Sequence, residues 1–226
     1  MLRRLLILGV VVAWPQAVAA RDTQRQPEAA TGTEQKSLAT AERHMVAAAH
    51  PLAAEAGREI LRKGGTAVDA AIATQLVLGL VEPQSSGLGG GAFIVHWNND
   101  AKAVTTYDGR ETAPAAAKPG RFLVDGAPMD FPDAVRSGLS VGVPGVVRMM
   151  ELAHAKHGKL AWAELFTPAI ALAEAGFAMP ARLHDLLKWQ GAENFAPAAR
   201  AYFFFRRWQA ETNRHFDAKF GLCRNA

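Results

Sequence analysis

Apolar side chains recur along residues 45–190 with two distinct periods, and the switches between them divide the chain into elements. Ala53, Ala56 and Ile60 share one face at helical spacing. His50-Pro51 ahead of them suits a first helical turn, and Lys63-Gly64-Gly65 supplies the cation and glycines of a helix end. A second helix is predicted to start at once and run to Val81. Thr66 is placed to cap it, and Asp69 follows three residues on to answer the cap and the helix dipole. Ala70, Ala71, Ala73 and Leu76 make this helix apolar nearly all round, which implies burial. Upstream, Met45 to Ala49 is a short apolar run of the kind that forms a buried strand.

The period then changes to two. Phe93, Val95 and Trp97 alternate with Ile94 and His96, Asn98-Asn99-Asp100 is a turn, and Ala103 to Tyr107 returns, which predicts a β-hairpin. Residues 113–140 are a proline- and glycine-bearing connection whose Arg121, Asp125, Asp130, Asp133 and Arg136 are expected to be mostly solvated. Three more helices are predicted: Pro144 to His157, Trp162 to Ala175 ending at Gly176, and Pro180 to Gln190 ending at Gly191. One hairpin among many helices gives a layered α/β or α+β protein.

The two ends read differently from this body. Arg3 and Arg4 precede an apolar run from Leu5 to Val12, and Ala17-Val18-Ala19-Ala20 offers the small residues of a cleavage site, so residues 1–20 are expected to be a secretory signal. The run is about half of the ~20 residues needed to span a bilayer, so no stable membrane anchor is expected. Cleavage near Ala19 or Ala20 leaves a periplasmic or secreted protein, with residues 21–43 as a polar, flexible leader. The formal charge of +4 belongs to the ends. Residues 1–20 carry +2, residues 206–226 carry five basic against two acidic side chains, and residues 21–205 carry 18 basic against 19 acidic ones, a net −1. Nucleic-acid binding is therefore not expected. The single cysteine, Cys223, excludes a disulfide framework within one chain.

Several motifs have a plain reading beside a chemical one. Gly87-Leu88-Gly89-Gly90-Gly91-Ala92 matches the dinucleotide fingerprint literally, but a helix precedes it and a strand follows, the reverse of the required context. What its glycines allow is close approach of backbone to a ligand or to another strand. His154 and His157 at i and i+3 are too few for a metal site and suit a polar face near a helix end; no metal or cofactor is expected. His50 suits a cap or a strand end. Tyr202-Phe203-Phe204-Phe205 is core-like if paired and an aggregation hazard if not. Asp108-Gly109-Arg110-Glu111-Thr112-Ala113-Pro114 is the most suggestive segment. Arg110 offers a fork for a carboxylate and Glu111 an acceptor for an ammonium group, the two charges of an α-amino acid end; the alternative is a local ion pair at a strand end.

In order along the chain, Met45–Gly57, Leu61–Ala73, Pro83–Phe93, Asp108–Pro114 and Gly142-Val143-Pro144-Gly145 resemble the amino-terminal half of the γ-glutamyltransferase family over residues 45–205. The resemblance implies an N-terminal-nucleophile hydrolase, a four-layer αββα sandwich made as a proenzyme that cuts itself into a large and a small subunit. It implies glutathione and other γ-glutamyl compounds as substrates, with release to water or transfer to an amino acid. It implies also that Arg110 holds the substrate α-carboxylate, with Glu111 in the same motif. A glutaryl-type acylase of the same superfamily and a non-catalytic exported amino-acid-binding module are the alternatives.

The family's nucleophile is the threonine of a Thr-Thr-His-type motif that opens the small subunit, with its freed amine as base. The 226 residues contain no such motif; their one Thr-Thr pair is Thr105-Thr106, on the predicted hairpin. Past residue 205 the text is expected to diverge, by frameshift or early stop, leaving residues 44–205 as a large-subunit portion, inactive alone. Missing its partner layer, the hairpin is expected to be uncovered and the chain loosely packed.

Overall fold

The computed structural model describes residues 37–204 and, as backbone, a short strand at 215–216. The expected signal at 1–20, most of the leader and nearly all of the 206–226 tail lie outside the described residues. Helix α1 spans Pro51–Arg62 and α2 spans Ala67–Val81. Strands β1 (Phe93–Asn98) and β2 (Ala103–Asp108) follow, then β3 (Leu123–Val124), β4 (Ala127–Pro128) and α3 (Phe131–Arg136). The order closes with α4 (Val146–His157), α5 (Thr167–Ala175), β5 (Phe177–Ala178), α6 (Ala181–Gln190), α7 (Pro197–Phe203) and β6 (His215–Phe216). The result is a mixed α+β architecture. Its strands form three antiparallel pairs, β1–β2, β3–β4 and β5–β6. Among the described residues no helix is long and apolar enough to cross a membrane.

The helix α2 is central, as its all-round apolar sequence requires: nine of its 15 residues are buried. One flank meets Ile60 of α1, Val146, Met149, Met150 and Ala153 of α4, and Leu165, with Ile94 and Tyr107 of the hairpin packed against the same cluster. The other flank meets Ala53 and Ala56 of α1 and Phe177 of β5. Both ends of α2 are tied down by charge. At its start Thr66 and Asp69 form a capping box, with Thr66 N–H donating to Asp69 Oδ2 at 2.8 Å and Asp69 N–H to Thr66 Oγ1 at 3.2 Å. At its end the buried Glu82 pairs with Arg182 of α6 at 3.0 Å and also accepts from Gln84.

The Asp69 side chain does more than cap. It is fully buried, and Oδ2 also accepts from the backbone N–H groups of Lys159 at 3.0 Å and Leu160 at 3.3 Å, in the turn that follows α4. A polar group removed from water needs such partners, and here they are donors about ninety residues away. His154, whose Nε2–H donates to the Leu160 carbonyl at 2.9 Å, closes the same turn.

The hairpin has the predicted bounds and a turn in which Asn98 Oδ1 accepts from the N–H groups of Asp100 and Ala101, both at 3.0 Å. Its register pairs Ile94 with Tyr107 and His96 with Thr105 on the face toward α4, and Val95 with Thr106 and Trp97 with Val104 on the other. The expectation of a hairpin without any partner layer is corrected for the first face only. On the second, Phe93, Val95, Trp97 and Val104 are between 53% and 74% exposed.

Two expectations of element type change. Residues 45–49 form no strand, because no neighbouring strand pairs with them; they run as an irregular lead into α1, which His50 caps by accepting from Leu52 N–H at 3.2 Å. The single helix expected over Trp162–Ala175 is a 3₁₀ turn at Trp162–Phe166 followed by α5. Pro168 is the cause, since it has no N–H to donate back into the preceding turn and its ring would crowd the carbonyl four residues earlier. The aromatic run at 202–205 is paired rather than free as far as residue 204: Phe195 lies 5.2 Å from Phe204, and Tyr202 and Phe203 line a small apolar pocket with Leu80, Phe177 and Leu183.

The Asp69 tie predicts an ordering of stabilities. Asp69→Ala removes the acceptor of three part-buried N–H donors and should cost about 3–4 kcal/mol, whereas Thr66→Ala, which loses one cap acceptor, should cost about 1 kcal/mol. Urea unfolding followed by circular dichroism measures both, and equal costs would contradict the tie.

Candidate functional site

Three separate segments meet where β2 ends. The first is the glycine run 87–91 leading into β1, the second is Asp108–Thr112, and the third is Gly142–Val146 at the start of α4. Ala92 and Gly109 extend the hairpin by two further hydrogen bonds, at 3.0 and 3.4 Å. Thr112 and Val143 exchange N–H···O bonds at 3.3 and 2.9 Å. The Gly90 carbonyl accepts from the N–H groups of Gly145 and Val146, both at 3.2 Å, so the first turn of α4 holds the glycine run in place.

Packing at this junction is too tight for side chains. A Cβ on Gly145 would stand 2.5 Å from the Gly109 carbonyl oxygen, and one on Gly109 would stand 2.7 Å from Cβ of Met149. At Gly91 a Cβ would meet Glu111 Oε2 at 2.5 Å and the Gly109 oxygen at 2.7 Å. The close backbone approach expected of the glycine run is thus made, and its partner is the Gly109–Glu111 strand end. Gly87 and Gly89, by contrast, have nothing within 4 Å of such a Cβ.

Arg110 and Glu111 stand on this floor. Asp108 Oδ1 accepts from the Arg110 N–H at 2.8 Å, which shapes the turn out of β2. The Arg110 guanidinium donates from Nη1 to Glu111 Oε2 at 2.6 Å, with the arginine side chain 67% exposed and the glutamate 29% exposed. The two site residues named from sequence are therefore brought together and bonded to each other. A pair this open to solvent contributes little to stability, on the order of 0–1 kcal/mol, so its geometry is available for a ligand. An α-amino acid end would exchange one ion pair for two, its carboxylate on Arg110 and its ammonium on Glu111.

The other candidates go elsewhere. His154 and His157 do not converge, since His154 serves the Asp69 turn and His157 meets the hairpin, 2.9 Å from the Tyr107 hydroxyl. Both histidines are partly exposed in the last turn of α4, in keeping with the polar face expected at that helix end. Among the described residues no group of three His, Cys, Asp or Glu side chains could hold a metal ion. Thr105 and Thr106 lie within β2. The sequence marked Gly142 and Gly145 only within the family resemblance; their place in the floor, and Met149 as its underside, were missed, because nothing local marks a contact made thirty or more residues away.

The family model Gamma-glutamyltranspeptidase matches residues 53–218. The chain belongs to this family. The Glutathione hydrolase proenzyme of Bacillus subtilis (strain 168) is 43% identical over 155 residues, which are 68% of this chain and 26% of that protein. Among solved structures, the Helicobacter pylori gamma-glutamyltranspeptidase superposes with a TM-score of 0.73 at 32% identity, covering 80% of this chain and 52% of that one. The Bacillus anthracis transpeptidase enzyme CapD gives a TM-score of 0.61 at 32% identity over 78% of this chain and 54% of that one. The fold is that of the N-terminal-nucleophile hydrolases. The chain spans about a quarter of the length of the curated relatives it matches and about half of the solved ones.

The glycine floor can be tested by contrast. Gly145→Ala, which must displace backbone, should destabilise by about 1–3 kcal/mol, while Gly89→Ala, facing open space, should stay within about 0.5 kcal/mol of the parent. Thermal unfolding of the two variants side by side checks this.

Proposed function

We propose that this chain is the amino-terminal part of an exported γ-glutamyl-transferring or glutathione-hydrolysing enzyme, and that it supplies the subsite for the α-amino acid end of the γ-glutamyl group. The observation that carries the reading is the Arg110–Glu111 pair, exposed on a rigid floor in a chain of this family. In the proposal Arg110 holds the substrate α-carboxylate and Glu111 the α-ammonium group. The donor is a γ-glutamyl compound such as glutathione, and its acyl group passes to water or to an amino acid.

The nucleophile is proposed to come from the carboxy-terminal half, which the 226 residues do not contain. There a threonine hydroxyl would attack the γ-carbonyl, its proton passing to the threonine's own α-amine and the leaving amine departing with a proton in turn. The same half is the proposed partner of the uncovered hairpin face formed by Phe93, Val95, Trp97 and Val104, since an apolar sheet face of this kind is ordinarily covered. The chain alone is then inactive.

A chimaera tests the reading. Residues 53–204 of this chain replace the corresponding segment of the B. subtilis glutathione hydrolase proenzyme, and glutathione hydrolysis is assayed. The chimaera should be active, Arg110→Ala should lower kcat/KM by a factor of about a hundred or more, and the 226-residue chain by itself should give no turnover above a blank. A folded chimaera with no activity, or one indifferent to Arg110→Ala, contradicts the assignment.

A further inference from the structure

Away from the site, the C-terminal turn of α4 meets the inner face of the hairpin through an unusual set of side chains. The rings of His96 on β1 and His157 on α4 stack with centroids 4.1 Å apart and an interplanar angle of 27°. Tyr107 on β2 hydrogen-bonds to Nε2 of His157 at 2.9 Å and presents its ring edge to the same imidazole. Nδ1 of His96 is buried with no partner, so a proton placed there finds no acceptor. Lys156 hangs its ammonium group 5.8 Å from the Tyr107 ring, adding a positive charge beside the stack.

We propose that the His96–His157 stack is an acid-sensitive latch, which clamps the hairpin to α4 while the His157 ring is neutral and releases it when that ring takes up a proton. Among the described residues the groups facing His157 are His96 from β1, Tyr107 from β2 and Lys156 on its own helix, and no carboxylate contributes to its shift. Asp69 of α2 lies against His154 instead, 3.5 Å away. Tyr107 neither favours nor opposes protonation decisively, because its hydroxyl can donate to a neutral imidazole or accept from a charged one. Desolvation, then the stacked ring and Lys156, therefore decide, and all three oppose a positive charge on His157.

Desolvation, then His96 and Lys156, hold the His157 imidazole below its usual value of 6.5. The open hairpin consequently binds protons more readily than the closed one. Clamping is fully present above that usual value and is lost as pH falls below it toward the depressed value of the closed form. The helix dipole at the end of α4 works the other way, favouring a cation in its last turn, and limits the size of the effect. The latch is independent of what binds at Arg110.

Backbone amide hydrogen exchange of the 226-residue chain tests this, with the amides of α2 as internal reference. Between about pH 7.5 and about pH 5, protection of the β1 and β2 amides should fall roughly tenfold after correction for intrinsic exchange, while that of α2 is kept. His157→Phe keeps a stacking ring without a titrating group and should abolish the acid loss. Lys156→Gln removes one opposing charge and should shrink it. An equal acid loss in His157→Phe, an unprotected hairpin at about pH 7.5, or no acid loss in the parent overturns the latch. Should His157→Phe fail to fold, the parent's imidazole resonances decide: titration of His157 below the usual value supports the proposal, and titration at or above it overturns it.

Discussion

Everything near the Arg110–Glu111 pair depends on one buried carboxylate. Asp69 caps the central helix α2 with one oxygen and, with the same oxygen, gathers the backbone of Lys159 and Leu160. If the turn after α4 left α2, the buried Asp69 carboxylate would lose two of its three N–H donors, and α4 is thereby fixed along the flank of α2. From that position its first turn grips the Gly90 carbonyl and its Met149 supports Gly109. The site is thus positioned by a residue that is not part of it, through a helix that carries force rather than chemistry.

Close packing converts that positioning into rigidity. Backbone from three segments is brought together at Gly91, Gly109 and Gly145, where a single added methyl group would collide with a carbonyl, a carboxylate or a side-chain carbon. A floor with so little free space holds an exposed arginine by its main chain rather than by its side chain. The guanidinium stays free to rotate from Glu111 to a ligand. Separation of the two roles explains how Arg110 can be exposed while the Gly109 backbone beside it is buried.

Local signals were legible in the sequence wherever the cause was local. The capping box at Thr66 and Asp69, the hairpin with its Asn98 turn, and the stops at Gly176 and Gly191 follow from residues that are near neighbours. Arg110 and Glu111 could be named because their charges are adjacent and complementary to an amino acid end. What was not legible is long-range. Nothing around Asp69 announces Lys159, nothing around Glu82 announces Arg182, and His154 and His157 look alike in sequence although one serves the core and the other the hairpin. The apolar run at 45–49 misled for the same reason, since a strand exists only where another strand accepts its hydrogen bonds.

The central claim, that this floor presents Arg110 and Glu111 to an α-amino acid end, is tested most directly by nuclear magnetic resonance of the chain titrated with L-glutamate and, in parallel, with glutarate. Glutarate carries the carboxylates but no ammonium group. The account predicts saturable shifts at the amides of Asp108 to Thr112 and of Gly90 and Gly91 with L-glutamate, and distinctly weaker binding of glutarate. Equal responses to the two ligands, or shifts confined to residues outside that floor, would contradict it.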